Sequence, residues 1–92
     1  MAQERILIVD DEKVLCRSLK MDFEDDGYMV EIADTGEQAL EYISDCDPAV
    51  VLLDLRLPGI NGIDVLKKIT AYNPDISVII MTAFGDTTIT VE

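Results

Sequence analysis

Ile6-Leu7-Ile8-Val9-Asp10-Asp11-Glu12 runs four apolar residues straight into three acids. The apolar run is short, continuous and β-branched, and it reads as a strand buried on both faces. Strands of that kind belong to parallel sheets with helices on either side. The acids mark the carboxyl end of the strand and the entry to a helix starting at Asp11 or Glu12.

Outward from this stretch the same unit repeats. Leu15, Leu19 and Phe23 recur every fourth residue and form the predicted inward stripe of the first helix. Gly27 fits the position just past its end. Glu24, Asp25 and Asp26 oppose the helix dipole there, a local conflict the sequence does not explain. Residues 28–33 alternate, with Val30 and Ile32 on one face and Met29 and Glu31 on the other, which predicts an edge strand. Thr35 is placed to cap a second helix bearing Ala39, Leu40 and Ile43. Pro48 breaks the chain before Ala49-Val50-Val51-Leu52-Leu53, a second fully buried strand. Pro58-Gly59 and Asn61-Gly62 read as turns. A third helix follows with Ile63, Leu66 and Ile69 inward, then Pro74, then a fourth strand at Val78-Ile79-Ile80-Met81. Another helix is expected to start at Gly85-Asp86-Thr87.

Strands alternate with helices throughout, and every connection is short. The pattern predicts one α/β domain over residues 1–92, a doubly wound parallel sheet of order 2-1-3-4. The fourth strand reads as central, yet no further strand follows it. The expectation is that the chain is an incomplete domain, ending where a fourth helix starts, or that a second copy covers the open edge. Self-association through that edge, or by swapping a helix, is expected on the same ground.

Composition narrows the function. Nineteen acids against seven bases give a formal net charge of -12, and no run of Lys or Arg occurs. Direct binding to nucleic acid or to an anionic membrane would need positive counter-charge, so both are disfavoured. There is no His, which excludes His metal sites and His general bases. The two cysteines, Cys16 and Cys46, are far apart and read as packing or surface residues in a reducing compartment. No secretory segment and no bilayer-spanning apolar stretch is present, so a cytoplasmic location is expected.

In an open α/β sheet, ligands bind beyond the carboxyl ends of the strands where strand order reverses. Order 2-1-3-4 puts that point between the first and third strands, which end in Asp10-Asp11 and Asp54, beside Thr82-Ala83 from the fourth. Taken singly, Asp10 and Asp11 suit a helix start, Asp54 a solvated strand end, and Thr82 a β-former. Together they gather three carboxylates and a hydroxyl. Two carboxylates ~4 Å apart repel by roughly 4 kcal/mol at an effective dielectric near 20. Mg²⁺ removes that conflict, since it takes carboxylate oxygens, keeps waters and accepts phosphate oxygens. A carboxylate that attacks phosphorus forms an aspartyl phosphate.

Val9-Asp10-Asp11-Glu12, then Leu52-Leu53-Asp54-Leu55-Arg56-Leu57-Pro58-Gly59 with Asn61-Gly62, then Met81-Thr82-Ala83-Phe84-Gly85, resemble the receiver domains of two-component response regulators. The resemblance covers the whole chain in order and implies a flavodoxin-like fold. It implies that Asp54 is the phosphoacceptor, served by a histidine kinase or phosphotransfer protein. It implies that Asp10 and Asp11 hold Mg²⁺ with Asp54 and the backbone carbonyl of Arg56. Thr82 matches the switch hydroxyl, and Arg56 and Phe84 match the positions flanking the acyl phosphate, where Phe84 would shield it from water.

The chain also departs from the pattern. The family's fifth strand carries a Lys that binds the phosphoryl group, and a last helix follows. Neither is found here, and Lys67 and Lys68 fall on the third helix. Two readings therefore stand: a phosphorylatable switch that catalyses its own phosphorylation, and a non-phosphorylatable interaction or dimerisation module of the same fold. An aspartyl-phosphate phosphatase would want an acid two residues after the nucleophile, where Arg56 stands. An FMN carrier would need a Ser/Thr/Gly-rich loop after the first strand, where Asp10-Asp11-Glu12 stand.

Overall fold

A computed structural model describes residues 4–57, 59–81 and 90–91. The elements run β1 (Arg5–Val9), α1 (Lys13–Asp25), β2 (Met29–Ala33), α2 (Gly36–Cys46), β3 (Val50–Asp54), α3 (Gly62–Tyr72), β4 (Ser77–Met81) and β5 (Thr90–Val91). The sheet order is β2-β1-β3-β4-β5, and the first four strands are mutually parallel. This is the doubly wound sheet of order 2-1-3-4 that the sequence predicts. The outer strand is a difference. Thr90 and Val91 pair antiparallel with Ile80 and Ile79, so the β4 edge is not bare. Two antiparallel residues are not the parallel fifth strand of the family's fold, and neither it nor the last helix occurs among the described residues.

Alternation along each strand divides the core into two layers. Leu7, Val9, Val51, Leu53, Val78 and Ile80 form one layer with Ala39 and Ile43 of α2 and Val65 and Ile69 of α3. Ile6, Ile8 and Leu52 face the other way and meet Cys16, Leu19 and Phe23 of α1.

Two helix faces differ from expectation. Leu15 is 39% exposed, and Cys16 is the buried residue of α1. Successive α-helical residues turn by about 100°, so Leu15 and Phe23 lie about 80° apart around the axis, while Cys16 and Phe23 lie within about 20°. Ile63 is likewise 41% exposed, and Val65, Leu66 and Ile69 face the core in its place. It stands about 120° from Ile69 around α3.

The helix ends follow their residues closely. Asp26 caps α1, and Gly27 follows with φ +97°. Gly27 N–H donates to Glu24 O at 3.0 Å and Tyr28 N–H to Phe23 O at 3.1 Å. This is a Schellman motif, with its apolar contact supplied by the Phe23 and Tyr28 rings, edge-to-face at 6.2 Å. Thr35 caps α2, its hydroxyl accepting from Gln38 N–H at 3.1 Å. Asn61, expected only in a turn, caps α3 by accepting from Ile63 N–H at 2.7 Å.

Candidate metal centre

Register brings the acids together. Val9 pairs with Leu53 across β1 and β3, so Asp10 and Asp54 follow at matching positions on neighbouring strands. Adjacent strands lie about 4.8 Å apart, and the two carboxylates inherit that spacing. Asp54 pairs on its other side with Met81 of β4. Asp11 is the first residue of the turn that leads to α1.

One carboxylate oxygen from each of Asp10, Asp11 and Asp54 lies within 4.8 Å of the other two. Asp10 and Asp54 are only 5% and 4% exposed, the two buried charged residues of the described chain, whereas Asp11 is exposed. They line a cleft of ≈ 420 Å³ together with Glu12, Leu15, Arg56 and Met81. The exposed Leu15 thus stands at the rim of this cleft.

The two buried acids are held in the same way. Asp10 Oδ1 accepts from Glu12 N–H at 2.9 Å, and Asp54 Oδ1 accepts from Arg56 N–H at 3.0 Å. Each is an Asx turn, in which the side chain captures the amide two residues on. The Asp10 backbone is pinned on both sides: its N–H donates to Ala33 O at 3.0 Å, and the Cys16 thiol donates to its carbonyl at 3.4 Å.

Electrostatics mark Asp10 as a strained charge. Burial pushes its carboxyl above the usual carboxylate range, the Glu12 hydrogen bond opposes that, and Asp54, Asp11 and Glu12 push it further up. The side chains that push it up, Asp54, Asp11 and Glu12, are all acids. Burial also pushes the Cys16 thiol up to about 11, with Asp10, Asp11, Asp34 and Glu12 adding to the rise. Cys16 therefore stays a protonated hydrogen-bond donor, a packing role as expected.

All the donors in the cluster are hard carboxylate oxygens, and two of them sit where water cannot fully compensate their charge. A hard divalent cation fits that set, and Mg²⁺ fits it together with the open cleft that leaves room for waters or phosphate oxygens. When bound, Mg²⁺ supplies positive charge that neutralises developing negative charge on a transferring group.

Of the residues singled out from sequence, Asp10, Asp11 and Asp54 converge, and Arg56 lines the same cleft. Thr82 and Phe84 lie outside the described residues, as does the expected helix start at Gly85-Asp86-Thr87. Lys67 and Lys68 lie exposed on α3, away from this cleft. Sequence reasoning missed Leu15 and the Cys16 anchor. The signal for both was the 3.6-residue helical period, which a four-residue stripe hides.

Comparisons with known proteins agree with this geometry. Residues 6–92 match the family described as the response regulator receiver domain. Sporulation initiation phosphotransferase F of Bacillus subtilis is 42% identical over 86 residues, spanning 94% of this chain and 69% of that protein. Regulatory protein AtoC of Escherichia coli is 40% identical over 91 residues, but this chain spans only 20% of it. Among solved structures, a CheY-like receiver domain protein from Methanospirillum hungatei superposes with TM-score 0.87 at 34% identity, covering 92% of this chain and 68% of that one. Response regulator protein TrrA from Thermotoga maritima, in complex with Mg²⁺-BeF, gives 0.83 at 35% identity, covering 90% and 72%. The matching fold, the shared span and these identities place the chain in the response regulator receiver domain family.

Proposed function

We propose that Asp54 accepts a phosphoryl group from a phosphohistidine on a histidine kinase or phosphotransfer protein, beside a Mg²⁺ ion held by Asp10, Asp11, Asp54 and the backbone carbonyl of Arg56. The observation that carries this reading is the meeting of three carboxylates, two of them nearly buried, at the switch point of the sheet. A relative named as a phosphotransferase and a solved relative in complex with Mg²⁺-BeF support it.

In the reaction, a carboxylate oxygen of Asp54 attacks phosphorus in line. The bond from phosphorus to the donor imidazole nitrogen breaks, and its electron pair stays on that nitrogen. The product is an acyl phosphate on Asp54. The Arg56 amide holds one carboxylate oxygen in place, which leaves the other to react. Thr82 supplies the switch hydroxyl, and Arg56 and Phe84 flank the phosphoryl group, with Phe84 slowing its hydrolysis. The chain acts in the cytoplasm, binds no nucleic acid directly, and is an enzyme only toward itself. Among the described residues no helix is long and apolar enough to cross a membrane.

The test is chemical trapping. After incubation with acetyl phosphate and Mg²⁺, hydroxylamine converts an acyl phosphate to a hydroxamate that peptide mapping locates. Hydroxamate at Asp54 is expected. Its appearance at another acid, or nowhere, contradicts the assignment.

A second reading, an interaction module that dimerises through the sheet edge or a swapped helix, has one observation in its favour. Among the described residues, β5 covers only Ile79 and Ile80 of the five-residue β4. An incompletely paired edge invites another strand. Light scattering that finds a concentration-dependent dimer supports it, and a strictly monomeric species removes it.

A further inference from the structure

Gly62 stands in the first turn of α3, where Ala is the better helix former. A local choice against propensity calls for a reason in the surroundings, and the surroundings supply one. A Cβ at position 62 would sit 2.5 Å from Leu55 Cα, 2.8 Å from its carbonyl oxygen and 2.9 Å from its carbonyl carbon. All three are backbone atoms, so none can rotate aside as a side-chain end can.

Leu55 is the residue between Asp54 and Arg56, and its carbonyl carbon is bonded to the Arg56 nitrogen. That nitrogen donates to Asp54 Oδ1 at 3.0 Å. A methyl group at position 62 therefore displaces the Leu55–Arg56 peptide, and with it both the amide that orients the Asp54 carboxylate and the Arg56 carbonyl. Gly36 is the natural contrast. The three atoms nearest to a Cβ there are side-chain atoms of Ile60 and Val65, none of them in the Leu55–Arg56 peptide.

We infer that Gly62 is a positioning residue for the metal and phosphoacceptor site: its lack of a side chain lets α3 press against the Leu55 backbone and so fixes Asp54 and Arg56. This inference rests on the Mg²⁺ reading given above. Gly62→Ala and Gly36→Ala, compared with the wild-type chain, test it. Thermal melts followed by circular dichroism establish the range in which each is folded, and calorimetry in that range gives the Mg²⁺ affinity. Both variants should melt earlier. Only Gly62→Ala should weaken Mg²⁺ binding, by about tenfold or more, the usual effect of disturbing a group that orients a ligand. Equal Mg²⁺ affinity in Gly62→Ala and wild type overturns the inference and leaves the Mg²⁺ reading intact. A wild-type chain that binds no Mg²⁺ overturns both. Should Gly62→Ala fail to fold, amide NMR of the wild-type chain decides. The Gly62 amide should shift with Mg²⁺ at the same midpoint as that of Arg56 while the Gly36 amide stays in place. A Gly62 amide that does not move while that of Arg56 does overturns the inference.

Discussion

Asp10 carries a charge that its surroundings oppose. Its carboxyl is 5% exposed and held above its ordinary value of 3.8, first by burial and then by Asp54, Asp11 and Glu12. The sign follows from linkage. Below pH 3.8 both folded and unfolded chains hold the proton, and the raised value favours the folded state relative to the ionised form. As pH rises through the folded value, Asp10 must ionise inside the protein, and that stability is lost. Asp10→Asn keeps the acceptor for Glu12 N–H and removes the charge. It should stabilise the metal-free chain at neutral pH, because the buried position then no longer has to hold a negative charge. Denaturant titrations at neutral pH and below pH 3.8 check this, the gain vanishing at the lower pH. The thiols make a second case. Cys16 is 1% exposed with its pKa pushed up to about 11, whereas Cys46 is only half-buried. Alkylation of the native chain followed by mass spectrometry should label Cys46 first and leave Cys16 largely unmodified. These residue roles were unequally legible. Asp10, Asp11 and Asp54 stand at strand ends and declare themselves by position. Cys16 declared nothing, because its role depends on which way α1 rolls against the sheet.

At the scale of elements, the chain is readable where side chains act on their own backbone. Thr35 and Gly27 do as their types require, because a cap is a contact between residues a few positions apart. Asn61 suits a turn for the same reason that it caps: its side chain captures a nearby amide, here that of Ile63. Faces were harder. A stripe of Leu15, Leu19 and Phe23 satisfies a four-residue spacing, but the helix turns past it. The burial of Cys16 and the exposure of Leu15 and Ile63 follow from that rotation. The short antiparallel β5 was not legible, since two residues of Thr90-Val91 carry no periodicity. The cap on α2 yields a direct test. Thr35→Ala should cost about 1 kcal/mol of stability, with α2 fraying first in hydrogen exchange. Ser44→Ala, which removes an exposed hydroxyl bond to Glu41 O, should change stability by no more than about 0.5 kcal/mol.

The whole molecule is a charge problem as well as a packing one. With a net charge of -12, the chain folds around a cleft in which three of its carboxylates meet. A cation that binds only the folded state stabilises it by mass action, by roughly 2.7 kcal/mol at 100 times its Kd. Mg²⁺ should therefore raise the melting temperature of the wild-type chain, and Asp54→Ala should lose most of that rise. A monovalent salt at matched ionic strength separates this specific gain from general screening. The sheet order was legible because a parallel α/β alternation admits few topologies, and the site followed from the order.

The most direct measurement is intact mass after incubation with acetyl phosphate, with and without Mg²⁺, for the wild-type chain and for Asp54→Ala. A single phosphoryl adduct that requires Mg²⁺ and vanishes in Asp54→Ala is the predicted result. No adduct on the wild-type chain, or one that persists in Asp54→Ala, contradicts the assignment of Asp54 as the phosphoacceptor.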